Sequence, residues 1–120
     1  MAEQTKDQVK KNLETLLGGG VTQAQLNEWK EKYGEVSVVK VTVSATKELT
    51  GYFKKPTRDI MAYCINAANN EKVYEAREFL VTNTFIGGDK EITTDYDASL
   101  AAQISLWRSI NFLKAEVTKY

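Results

Sequence analysis

The 120-residue chain contains no histidine and only one cysteine. Histidine is the side chain most often used as a general acid or base and as a metal ligand, so its absence removes the commonest route to either kind of site. A lone cysteine cannot close an internal disulfide, and Cys64 lies in an apolar pattern that suits a small buried side chain in a reducing compartment. The sequence therefore predicts a cytoplasmic protein with no catalytic residue, no cofactor and no metal.

Long apolar runs and an excess of charge of one sign are also missing. No stretch approaches the roughly 18 apolar residues of a membrane span, and residues 1–7 are polar, unlike an export signal. The 16 basic and 16 acidic residues cancel, so the chain has no overall field to hold nucleic acid or an acidic membrane surface. We therefore expect no membrane partner, and nucleic-acid binding is disfavoured.

The N-terminal part of the chain has helical periodicity interrupted by glycine. Val9, Leu13, Leu16 and Leu17 lie on one helical face, and three glycines follow, Gly18 to Gly20. We predict an amphipathic helix and a glycine hinge over residues 1–20, set apart from one domain over residues 21–120. A second short helix is expected between a possible capping box at Thr22 and a stop at Gly34.

From Val36 onward the hydrophobic period changes from 3.6 to 2. Val39, Val41 and Val43 alternate with polar residues, which predicts a strand with one buried face. The adjacent pair Val38 and Val39 breaks the alternation and predicts a bulge or a switch of the buried face. A second extended segment, residues 49–53, completes an antiparallel hairpin.

The second half of the chain reads as helices. Pro56 ends the second strand and can occupy the first turn of the next helix. Two apolar stripes, over residues 60–68 and 73–85, predict a helical hairpin that Gly87 stops in a left-handed conformation. A last helix starts near Asp95 or Asp97 and runs almost to the C terminus. The predicted fold class is α+β, a mostly helical domain with one antiparallel β-hairpin.

Each chemical candidate has a structural alternative. Cys64 as a nucleophile would need a partner to lower its pKa, so a core position is favoured. Gly87 and Gly88 could approach a phosphate, but no P-loop sequence follows them, so a backbone turn is favoured. The acidic cluster could hold a hard cation, but its spacing is not that of an EF-hand and favours helix capping; its members are Asp89, Glu91, Asp95 and Asp97.

One basic patch is interleaved with aromatic residues. Lys54, Lys55 and Arg58 follow Tyr52 and Phe53, a combination that can hold phosphates and stack bases. With three charges only, a solvated helix start is the favoured interpretation. Two tryptophans, Trp29 and Trp107, are large enough to anchor an interface, although each lies on an apolar helical stripe that a core would also explain.

Two short motifs resemble those of small proteins encoded in phage and prophage tail clusters, of the tail assembly chaperone type. The first runs Gly51-Tyr52-Phe53-Lys54-Lys55-Pro56-Thr57-Arg58, and the second runs Phe85-Ile86-Gly87-Gly88-Asp89-Lys90-Glu91-Ile92. They correspond to a YLKKP-S/T-R strand-to-helix joint and a W-x-GGD-x-x-I loop, with Phe53 and Phe85 in the leucine and tryptophan positions. The resemblance covers about residues 41–120 and leaves the first 35 residues outside it.

The resemblance implies a protein that coats the apolar tape measure protein while the tail tube polymerises, using exposed apolar helix surface and no catalytic group. We expect a protein partner, either the tape measure or the tail tube protein, and a possible homo-oligomer. The wide apolar face of the last helix, or the N-terminal helices, would dock on helical client segments. The candidate partner contacts are Trp29, Tyr33, Leu106, Ile110 and Phe112.

Two other functions compete with this one. A structural component of the virion or of an oligomer could use the hairpin strands to extend a sheet between subunits. A small nucleic-acid-binding accessory protein could use the patch from Tyr52 to Arg58. An enzyme that relies on carboxylates alone is the least favoured class.

Overall fold

The computed structural model describes residues 16–110 and 117–120 of the chain. Within these residues the protein is α+β, with helices packed on a small antiparallel sheet. The elements in chain order are β1 (Leu16–Gly18), β2 (Val21–Thr22), α1 (Gln23–Tyr33), β3 (Val36–Ser44), β4 (Lys47–Lys54), α2 (Arg58–Asn69), α3 (Val73–Thr84), β5 (Phe85–Gly88), α4 (Glu91–Thr94) and α5 (Tyr96–Ser109).

The main sheet has the order β3-β4-β5, and both pairings are antiparallel. The valine-rich strand and its hairpin partner are confirmed, with Val39 opposite Gly51 and Val41 opposite Leu49. The third strand, β5, was not expected. Phe85 was assigned to the end of a helix, but the helix stops at Thr84 and Phe85 pairs with Phe53.

Adjacent residues of the central strand β4 point to opposite faces of the sheet, as strand geometry requires. Phe53 faces the helices and is fully buried, whereas Tyr52 faces the other way and packs on Trp29 of α1. The molecule therefore has three layers, with α1 and the β1–β2 hairpin on one side of the sheet. The buried core lies between the sheet and the remaining helices and comprises Val39, Phe53, Cys64, Ala67, Ala76, Leu80, Val81, Ile92, Ala102 and Leu106.

The helix starts follow capping chemistry. Thr22 precedes α1, and its hydroxyl accepts a hydrogen bond from the Gln25 N–H at 3.2 Å, which confirms the Thr22 half of the expected capping box. Gly34 ends the helix at a positive φ of 81°, as predicted. Asp95 caps α5, which confirms one of the two starts expected there. Thr57 caps α2, so Pro56 precedes the helix and is not in its first turn.

Several sequence predictions need correction. The irregularity in β3 lies between Thr42 and Ser44, near the hairpin turn, and not at Val38 and Val39. Val38 pairs regularly with Tyr52, and its side chain is exposed because it lies on the less covered face of the sheet. The last helix ends at Ser109, and neither Ile110 nor residues 117–120 are helical, so it does not run almost to the C terminus.

The N-terminal prediction differs in a similar way. Leu16 and Leu17 belong to β1 and not to a helix, while residues 1–15, the rest of the expected amphipathic helix, lie outside the described residues. Gly19 and Gly20 form the turn between β1 and β2, Gly18 ends β1, and all three glycines have positive φ. A hinge motion at these glycines stays a prediction. What the structure shows there is a turn packed on the main sheet.

Candidate functional site

The residues singled out from the sequence fall into two groups in space. The first group, which we call the glycine junction, joins the N-terminal hairpin and α1 to strands β4 and β5; it comprises Gly18, Gly19, Trp29, Thr50, Tyr52, Gly87, Gly88 and Asp89. The second group, the lysine groove, lies where β3 starts and β4 ends; it is lined by Glu35, Ser37, Lys54, Lys55, Pro56, Met61, Leu106, Ser109 and Ile110.

Asp89 prolongs the pairing of β5 with β4 by means of its side chain. Its backbone N–H donates to the Thr50 carbonyl at 2.8 Å, and its carboxylate accepts from the Thr50 N–H, also at 2.8 Å. Thr50 is buried, so an unmatched N–H at this position would be costly. The aspartate of the second motif is therefore a structural hydrogen-bond partner.

The Trp29 indole packs directly over Gly87. An ideal Cβ at Gly87 would lie 2.3 Å from Trp29 Cη2, so only glycine leaves room for the ring. The indole also meets the ring of Tyr52 at a centroid distance of 5.5 Å. Trp29, which the sequence predicts as a partner contact, is thus half-buried and packs α1 against the sheet.

Tyr52 fixes the other end of the glycine junction. Its phenol donates to the Gly18 carbonyl at 3.1 Å, and burial, with the nearby Asp89 carboxylate second, raises its pKa. A Cβ at Gly19 would lie 2.8 Å from Gly88 Cα, so the turn at Gly19 touches the end of strand β5 backbone to backbone. The paired glycines and Asp89 serve this close approach, but Gly87 and Gly88 lie in strand β5, so the interpretation of this pair as a backbone turn was wrong.

The lysine groove is an open cleft of about 460 Å³. Its apolar surface comes from Pro56, Met61, Leu106 and Ile110, and Lys54, Lys55 and Glu35 stand among the lining residues. The groove thus unites residues of the first motif with two of the predicted partner contacts, although they come from elements far apart in the sequence.

The predicted partner contacts are therefore not equivalent. Leu106 is only 5% exposed and belongs to the core, although it also lines the groove, so its role as a partner contact stays a prediction. Ile110 is half-buried against the same core and also lines the groove. Phe112 lies outside the described residues.

Tyr33 lies near the groove on the last turn of α1. The ammonium groups of Lys32 and Lys54 are 5.2 and 5.5 Å from the centre of its ring, within the range of cation–π attraction. Arg58 is exposed at the start of α2. Of the three basic residues of the aromatic patch, Lys54 and Lys55 thus line the groove, with Lys54 close to an aromatic ring, whereas Arg58 lies in solvent.

The residues of the acidic cluster make separate structural contacts. Asp89 binds Thr50, Asp95 caps α5, and Glu91 accepts a salt bridge from Lys47 at 3.0 Å. Over residues 16–110 and 117–120, no three acidic, histidine or cysteine side chains come close enough to hold a metal ion. In the same residues, no helix combines the length and apolar character needed to cross a bilayer.

Cys64 is buried in the core, where its thiol donates to the Ala76 carbonyl at 3.4 Å and desolvation raises its pKa. We expect the native protein to react with a thiol reagent at pH 8 at least about 100-fold more slowly than the chain unfolded in guanidinium, because the thiolate is disfavoured and shielded. The release of chromophore from a disulfide reagent measures both rates. Equal rates would place Cys64 at the surface, contrary to its burial.

Glu35, Ser37 and Met61 line the groove but were missed by the sequence analysis. Glu35 and Ser37 flank the start of β3, a position that no motif marks, and Met61 was counted only as part of an apolar helical stripe. Comparisons of the chain with protein-family models, with curated proteins and with solved structures gave no match.

Proposed function

We propose that this protein is a non-catalytic tail assembly chaperone of a phage or prophage, which acts in the host cytoplasm and binds the tape measure protein through the lysine groove. The motif resemblance supplies the class of client. The observation that supports a binding site is the groove itself, because it gathers Lys54, Lys55 and Pro56 of the first motif with Ile110 in one cleft.

The shape and chemistry of the groove fit one face of a helix. Apolar client side chains at helical spacing can enter between Pro56, Met61 and Ile110, while the lysines and Glu35 contact polar groups beside them. Helix-in-groove binding needs only a few such anchors, since most of the binding energy comes from side chains that fill a desolvated cleft. An assembly protein with this mode of binding makes and breaks no covalent bond.

A charge placed in the groove tests the proposal. Met61→Glu is expected to weaken binding at least 30-fold, because about 2 kcal/mol is lost when a carboxylate faces an apolar anchor. The probe is an overlapping set of peptides from the tape measure protein of the phage or prophage that encodes the chain, with binding measured by fluorescence anisotropy. Co-expression should also keep that tape measure protein in the supernatant.

The matched control is Ala62→Glu, which adds the same charge one residue later at an exposed position of α2. It should bind as the parent protein does. Equal loss in both variants, or no peptide bound by the parent protein, contradicts the proposal. Retention of the chain at fixed copy number in finished tails would identify a structural component instead, and a salt-sensitive shift of a single-stranded oligonucleotide would identify a nucleic-acid-binding protein.

A further inference from the structure

The outer edge of β3 is the longest open backbone edge in the described part of the chain. The strand has nine residues, and among residues 16–110 and 117–120 no other strand pairs with its outer side. The opposite edge of the sheet is formed by β5, which has only four residues. An edge of this kind presents unpaired N–H and C=O groups that another extended backbone can satisfy.

The hydrogen bonds of Thr50 reveal which groups of β3 point outward. Thr50 directs both its N–H and its C=O toward Asp89, on the β5 side of the central strand. Because antiparallel pairing alternates along a strand, Leu49, Gly51 and Phe53 direct theirs toward β3. Their partners on β3 are Val41, Val39 and Ser37. The alternate residues of β3 therefore present their backbone N–H and C=O groups to the outer edge of the sheet; they are Val36, Val38, Lys40 and Thr42.

This edge has few of the devices that usually prevent strand addition. Natural edge strands carry several lysines, a proline or a bulge in the middle, whereas β3 has five valines and one charge, Lys40, and its irregularity falls at its end. Val38 is 44% exposed on the face of the sheet that α1 leaves uncovered here. A balanced total of 16 basic and 16 acidic residues adds no long-range repulsion between copies.

We propose that two copies of this chain associate through antiparallel pairing of their β3 strands, about a two-fold axis that passes by Val39. This register matches all four outward residues of one copy, from Val36 to Thr42, with those of a second copy, whereas a pair centred on Val38 leaves Thr42 without a partner in the strand. A symmetric pair centred on Lys40 would set two ammonium groups opposite each other. Centred on Val39, the pair sets Lys40 opposite the partner's Val38 and Val36 opposite the partner's Thr42, and its regular part meets no like charge.

In this register every outward group finds a partner. The four outward residues of each copy, which run from Val36 to Thr42, would form about eight intermolecular hydrogen bonds. The aliphatic stem of Lys40 would cover the exposed Val38 of the partner subunit, as long basic side chains commonly cover apolar surface. The two three-stranded sheets would become one six-stranded sheet. Since Ser37 lines the lysine groove, the two grooves would lie on either side of the axis.

A proline on the edge tests the backbone pairing. Lys40→Pro removes one outward N–H and breaks none of the hydrogen bonds between β3 and β4, and edge strands tolerate proline at such a position. Sedimentation velocity of the full chain should give a dimer of twice 13.5 kDa, and Lys40→Pro should raise its dissociation constant at least about 100-fold, since both symmetric pairs are lost. Lys40→Thr, which removes the charge and keeps the N–H, should leave a dimer.

A pair of opposite charges at one position tests the register. Val38→Lys should raise the dissociation constant about fivefold and Val38→Glu should lower it about fivefold, because residue 38 faces Lys40 of the other copy. Unfolding of each variant by urea monitors the fold. A monomer at 100 μM parent protein, or a dimer unaffected by Lys40→Pro or by the sign of the charge at residue 38, overturns the proposal. These mass measurements involve no client, so they are independent of the proposed function.

Discussion

Gly88→Ala is expected to lower the free energy of unfolding by about 4 kcal/mol, because two costs combine at this position. Gly88 has a positive φ of 102°, which a residue with a Cβ adopts only under strain. An ideal Cβ would also lie 2.4 Å from the Thr50 carbonyl oxygen, a backbone atom of the central strand that cannot move aside. Urea unfolding followed by circular dichroism measures the loss.

Gly20→Ala separates the two costs. Gly20 also has a positive φ, 75°, but no atom lies within 4 Å of the Cβ that would be added. The loss of stability there should be about 1 kcal/mol, from backbone strain alone. If the two alanine variants lost the same amount, the close contact between Gly88 and β4 would be disproved.

The contrast between these two glycines shows what the sequence could and could not reveal. Three consecutive glycines indicated backbone freedom, and a turn at positive φ was within reach of local reasoning. Gly87 was predicted to stop a helix in a left-handed conformation because glycine commonly fills that place, but it lies in strand β5, and the positive φ belongs to Gly88. Its contact with Thr50 depends on a strand pairing between distant parts of the chain, which no local pattern encodes.

The same distinction holds for the secondary structure. The β3–β4 hairpin was predictable because alternating valines and a short polar turn are both local signals. The caps at Thr22 and Asp95 were predictable for the same reason. Strand β5 has four residues, two of them glycine, so it shows neither alternation nor enough length, and its pairing with β4 is what defines it.

The candidate site was predictable in composition but not in arrangement. The helical pattern placed Leu106 and Ile110 on apolar stripes, but such a stripe does not show which neighbouring element will cover it. The structure covers Leu106 with the core and leaves Ile110 beside Lys55 and Pro56 at the groove. Only the packing of α5 against the sheet brings these residues together.

Trp29 is the candidate contact whose role changes most, and Trp29→Ala is expected to lower the free energy of unfolding by about 3 kcal/mol. The indole packs on Tyr52 and over Gly87, so its removal exposes the face of the sheet that α1 covers. A residue used only to bind a client would be replaced at little cost to stability. Circular dichroism in urea measures the loss without relying on tryptophan fluorescence.

Gly87→Ala provides the matched partner for a double-mutant cycle. Alone it should cost about 3 kcal/mol, because the new Cβ meets Trp29 Cη2 at 2.3 Å and displaces the ring. In the Trp29→Ala background that clash is gone, so the same glycine substitution should cost less than about 1 kcal/mol, a coupling of about 2 kcal/mol. Additive losses would mean that the indole does not lie on Gly87, and Trp29 would then be free to serve as a partner contact.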